Sequence, residues 1–183
     1  MLNLKHRYEM RWNPALEPVG HGDFSAEEFK PWWARNRRLL ENLHPQVAEQ
    51  WVFRHWRWSP YRFLSLEDLR WRKETWPTER VLSEVYLEFG KPVDPRDYAM
   101  FRGEAGTLGS TSTFRNWTDG SWSPPVVVLS TPTGIDTYEG PLPDVRFVVL
   151  EGSLRYRYLW AAHHYGDPTG PHEVYILTSS TLD

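Results

Sequence analysis

The stretch 147-FVVLEGSLRYRYLWAAHHYG-166 contains the pattern from which the fold can be read. Phe147 to Leu150 is an apolar run of strand length, rich in β-branched residues. It stops at Glu151-Gly152-Ser153. Apolar residues then recur at helical spacing, so that Leu154, Tyr158, Ala161, Ala162 and Tyr165 share one face. Gly166 supplies a helix stop and Pro168 lies just beyond it. Two further runs, 125-PVVVL-129 and 173-EVYIL-177, also have strand length. Strand, helix and strand in this order predict a βαβ unit with its last two strands parallel.

Upstream, residues 1–23 carry Pro14, Pro18, Gly20 and Gly22 and read as an irregular arm. Residues 24–90 read as a helical region. Ser25 and Glu28 have capping-box spacing, and Phe24 and Phe29 that of a hydrophobic staple. A helix is expected from Pro31 to Leu43, with Trp32, Leu39, Leu40 and Leu43 facing inward. Pro45 opens a second helix over residues 45–58, which carries Val47 and Trp51 on one stripe and Ala48, Val52 and Trp56 on the next. Ser65 and Asp68 form another capping pair, which predicts a third helix ended by Trp76-Pro77. A fourth is expected from Pro77 to Leu87. Residues 91–183 form the remaining α/β region, with a loop-rich opening and a turn at Asp119-Gly120. The fold class is therefore α+β.

Composition narrows the function classes. The 183 residues contain no cysteine, which excludes disulfides, thiolate metal sites and a cysteine nucleophile. Eleven Trp, nine Tyr and eight Phe demand either thick aromatic cores or stacking surfaces. The net charge of −3 gives no global attraction to nucleic acid. Residues 1–80 hold 14 Lys and Arg against 11 Asp and Glu, and the remainder 7 against 13. No window has the length of a membrane span and the first residues lack a signal-peptide core, so a cytoplasmic protein is expected.

The chemistry concentrates at the strand end. A helix opening presents unpaired amides and a partial positive charge. Gly152 would let a phosphate approach the backbone, Ser153 adds a hydroxyl, and Arg155 adds a planar fork suited to phosphate oxygens. Glu151 is the candidate general base or metal-holding group. A turn that merely links strand to helix, with Arg155 paired to Glu151, would use the same residues.

The order PPVVVL, a turn-rich spacer, FVVLEGSLRYRYLWAAHHYG and HEVYIL resembles the core of ParB/sulfiredoxin-fold domains over residues 120–178. Those domains carry an apolar strand leading into a Gly-x-x-Arg box that binds nucleotide phosphates. The resemblance implies a ParB-like site at Gly152 and Arg155, with Glu151 and Ser153 beside them by position. It implies a nucleotide such as ATP or CTP, with Mg²⁺, as ligand. Ser153 and Leu154 stand where the family usually places His, Cys or charged residues. Without cysteine, sulfinic-acid repair is excluded.

Other candidates lie outside this turn. Arg80, Glu84 and His172 are candidate walls of a cleft. Arg54, Arg57, Trp56 and Trp58 belong to an aromatic–arginine segment fit either for packing or for an interaction surface, with Trp56, Arg57 and Trp58 the residues to contact a partner. His163 and His164 point to different helix faces and suit a helix C-terminus better than a metal. No Gly-x-Ser-x-Gly or Walker-type loop is present. Three readings follow: a nucleotide- or phosphate-binding protein, with hydrolysis or phosphotransfer as its catalytic form; a non-catalytic protein-interaction scaffold, as in phage- or defence-related proteins; and a nucleic-acid-binding or -processing protein.

Overall fold

A computed structural model describes residues 1–6, 9–20, 26–88, 95–102, 117–118 and 120–182. The fold is α+β. Its strands are β1 (Leu2–Asn3), β2 (Leu69–Trp76), β3 (Val85–Tyr86), β4 (Trp117–Thr118), β5 (Ser121–Trp122), β6 (Val126–Ser130), β7 (Ile135–Thr137), β8 (Gly140–Leu142), β9 (Phe147–Glu151) and β10 (His172–Ser179). Its helices are α1 (Phe29–Asn36), α2 (Pro45–Val47), α3 (Thr78–Glu84), α4 (Pro95–Arg102) and α5 (Ser153–His164). Two compact units emerge, each assembled from separated segments. One holds residues 1–72, 129–146 and 177–183, the other residues 73–128 and 147–176. Boundaries near 23 and 90 are therefore not those of the compact units, because strand pairing joins segments far apart in the chain.

In the first unit, residues 1–6 and 9–20 are built in rather than forming an arm. β1 pairs in parallel with β7, Leu2 opposite Ile135, and β7 pairs antiparallel with β8. Leu2, Leu4, Trp12 and Leu16 are all buried. A two-residue strand is too short to show a period, so the Pro and Gly punctuation dominated the sequence pattern. Pro31 lies in the first turn of α1, where amides have no intrahelical partner in any case. The helix ends at Asn36 instead of Leu43, and the chain continues in turns closed by Leu39 N–H to Asn36 O and Leu43 N–H to Leu40 O. Trp32, Leu40 and Leu43 are buried as the spacing predicts, but Leu39 is 49% exposed because the helical step is lost before it. Ser25 of the expected capping box lies outside the described residues.

Pro45 does open α2, with the His44 ring accepting from the Gln46 amide. The helix then widens into a π-helical turn, Ala48–Phe53. Trp51, Val52 and Trp56 are buried there. Trp12 meets Trp51 edge-on at 5.2 Å and Trp56 at 5.5 Å. The Trp51 indole donates to Ser59 Oγ, which satisfies its polar edge inside this core.

The second unit centres on a five-stranded sheet of order β2-β10-β6-β9-β3. The expected third helix is strand β2; only the tight turn Leu66–Asp68 remains helical. Between buried Leu69 and Trp76, most of β2 is exposed and charged. Such an edge strand shows no two-residue alternation, so its pattern is silent, and backbone pairing with β10 decides its state, with Lys73 and Glu173 paired at 2.6 Å on its surface. The fourth helix is present as α3 but gives way at Val85 to β3, parallel to β9. β9, α5 and β10 form the expected strand–helix–strand order, yet β6 lies between the two strands, so they do not pair. Trp117 opposite Trp122 closes the β4–β5 hairpin at Gly120, whose φ is +75°.

α5 is packed on two faces rather than one. Tyr156 and Leu159 enter the core of the sheet with Val126, Phe147 and Ile176. Tyr158 and Ala162 face Tyr98 and Trp117. Tyr165, expected inside, is 45% exposed and stacks on Tyr98 at 4.1 Å. Arg157 adds a bidentate pair to buried Asp97 of α4, at 2.7 and 2.8 Å. That clamp fixes α5 and hence the turn at its start.

Candidate functional site

The turn at the end of β9 is made by Gly152, whose φ of +97° and ψ of 23° place it in the left-handed region. A side chain there is excluded twice. The backbone is one that L-residues rarely adopt. A Cβ would also come 2.7 Å from Val126 Cγ1 and 2.9 Å from Arg155 Nη2. Gly152 is the N-cap of α5 and offers no side-chain cap to its first turn. The first-turn amides therefore depend on something other than an N-cap side chain.

Arg155 lies back over this glycine. Its guanidinium donates to Glu151, one helical turn before it, and Nη1 donates to the Pro124 carbonyl at 2.5 Å. The side chains are 8% exposed for Arg155 and 16% for Glu151. The structure thus brings Glu151, Gly152 and Arg155 together, while Ser153 is exposed beside them. It also gives Glu151 a specific task. A carboxylate held by a guanidinium in a dry setting balances that charge. This arrangement holds α5 to the segment before β6 through Pro124.

A second polar cluster was not legible in the sequence. His172, fully buried at the start of β10, has Nδ1 at 2.8 Å from Ser121 Oγ and Nε2 at 2.9 Å from Thr78 Oγ1. Trp122 lies over the ring at 4.4 Å. A neutral imidazole donates from one nitrogen and accepts at the other, so one hydroxyl donates to the ring and the other accepts from it. Burial lowers the His172 pKa from 6.5 to about 4, against the opposing pull of Glu79. Ser121 and His172 stand at nucleophile–base distance. A ring that resists protonation this strongly is nevertheless a poor base near neutrality, and its two hydroxyl partners link β10, the hairpin and α3. The signal available in the sequence was only His172 before a strand; Ser121 and Thr78 carry no local motif.

The remaining candidates are dispersed. Arg80 pairs with Glu84 at 3.1 Å and Glu74 at 3.5 Å and lies over the Trp76 ring at 4.1 Å, so it is engaged between α3 and the end of β2. Trp56 is 3% exposed and belongs to the core, which removes it from any contact surface. Its burial against Trp12 is the cause. Trp58 is 71% exposed, and Arg57 pairs with Glu17 at 3.1 Å. His163 and His164 lie exposed in the last turn of α5. Among the described residues no three His, Asp or Glu side chains gather as a metal site, and no helix is long and apolar enough to cross a membrane. Glu151 is the acid of the turn and is engaged by Arg155, so these residues do not by themselves build a seat for Mg²⁺.

No protein-family model, curated protein or solved structure matches the chain.

Proposed function

We propose that the protein binds a phosphate-bearing ligand, of the nucleotide class, at the turn from β9 into α5. The observation that supports this reading is the Arg155 guanidinium lying on Gly152 beside the uncapped first turn of α5. An oxyanion at that place would meet amides and a planar cation together. Glu151 acts here as the resting counter-charge, which a ligand phosphate would replace in the arginine fork. No catalytic step is assigned to Glu151, and Mg²⁺ would arrive as the counter-ion of the nucleotide phosphates. The experiment is a thermal-shift panel of ATP and CTP with and without Mg²⁺. A rise in melting temperature that Arg155→Lys removes supports the reading, since lysine keeps the charge but loses the fork. No shift with either nucleotide at millimolar concentration rejects it.

A second reading, a protein-interaction surface, is favoured by Trp58, which is 71% exposed next to Arg57. It predicts a complex that survives Arg155→Lys and is lost with Trp58→Ala. Nucleic-acid binding, the third reading, predicts salt-sensitive retention of oligonucleotides.

A further inference from the structure

We infer that the first unit carries a separate site for a small organic anion, in the cavity between residues 11–16, the turn 38–42 and residues 66–70. The cavity has a volume of about 370 Å³, enough for a metabolite-sized ligand. It lies within the first unit and shares no residue with the turn at Gly152. Three segments distant in sequence each bring one arginine to its wall: Arg11, Arg38 and Arg70.

The state of these arginines argues for a ligand. Arg70 is fixed, with Nη1 donating to the carbonyls of Glu67 at 3.0 Å and Leu69 at 2.7 Å. Arg11 is steadied by Glu9 at 3.1 Å. The nearby turn is braced by Asn42, whose amide donates to the Leu66 and Leu69 carbonyls. Arg38 has no acceptor among the described residues, although Glu41 and Glu67 also line the cavity. A guanidinium that leaves carboxylates of the same wall unpaired is available to an incoming oxyanion.

The apolar part of the wall defines the rest of the ligand. Leu39 is 49% exposed and lines the cavity with Leu16 and Leu66. Trp12 is 2% exposed in the same wall, and its indole N–H has no acceptor among the described residues. The occupant is thus a phosphate- or carboxylate-bearing molecule with an apolar body. Glu41 and Glu67 select against larger polyanions by repulsion.

The probes are phenyl phosphate, benzoate and inorganic phosphate, with benzyl alcohol as the neutral control, titrated by calorimetry into the full chain. Phenyl phosphate or benzoate is expected to bind, benzyl alcohol is not, and whichever anion binds identifies the head group. Arg38→Ala, at an exposed position, is expected to weaken binding roughly tenfold, as the loss of one charge-assisted hydrogen bond implies. Leu39→Trp fills the cavity from an exposed position and is expected to block binding with the fold intact by circular dichroism. Arg155→Lys leaves this binding unchanged, which separates it from the nucleotide site. Failure of both organic anions to bind, or binding that survives Arg38→Ala and Leu39→Trp, overturns the inference.

Discussion

His172 Nδ1 lies 2.8 Å from Ser121 Oγ, and its other nitrogen is held by Thr78, so a buried ring is fully satisfied in its neutral form. The depressed pKa makes protonation favour unfolding. The ring binds a proton at 6.5 when exposed and only at about 4 when buried, so the unfolded chain holds more protons between these values. This contribution to stability is complete above pH 6.5 and is lost as pH falls toward 4. The loss is on the order of 3 kcal/mol. Urea titrations of wild type and His172→Gln across this range test it. The wild-type curve should fall more steeply; parallel curves would refute the assignment.

Gly152→Ala should destabilise the protein by about 2 kcal/mol, since it combines a left-handed backbone with a clash against Val126. Ser153→Ala, exposed next door, should change stability by less than about 0.5 kcal/mol. Chemical denaturation of the two variants separates the turn's glycine from its neighbour.

Removing one member of the Glu151–Arg155 pair should cost about 3 kcal/mol, because the remaining charge is left poorly solvated. Replacing both, as Glu151→Gln with Arg155→Met, should cost less than the two single changes together. A double-mutant cycle on urea midpoints measures that coupling, and additive changes would show that the pair carries none.

Trp56→Ala should cost about 3–5 kcal/mol, as expected for an aromatic removed from a core. Trp58→Ala should stay within about 0.5 kcal/mol, since the ring is mostly in solvent. Near-equal losses in a thermal melt would contradict the burial that distinguishes them.

Within a single helix, the spacing of apolar residues found α5 and its glycine stop, but it implied one buried face. Tyr156 and Leu159 lie inside because the sheet covers α5 on one side, while Tyr158 and Ala162 face Tyr98 of α4, whose Asp97 clamps Arg157. The capping pair at Ser65 illustrates the opposite case. The local signal predicts a helix, while pairing with β10 draws residues 69–76 into a strand. Nor did the segment 51–63 show which tryptophans face solvent, since Trp56 and Trp58 carry the same chemistry two positions apart.

By itself the sequence determined the strand β9, a turn at Gly152 and the helix that follows, and the structure shows that turn to be left-handed. These depend on local periodicity and on the one residue that tolerates that backbone. Tertiary structure alone decided that β6 separates β9 from β10, that Leu2, Leu4, Trp12 and Leu16 belong to a core, and that Arg155 turns to Glu151 and Pro124. Those outcomes depend on contacts between segments far apart in the chain, whose free energies outweigh local preference and leave no trace in a short window of residues.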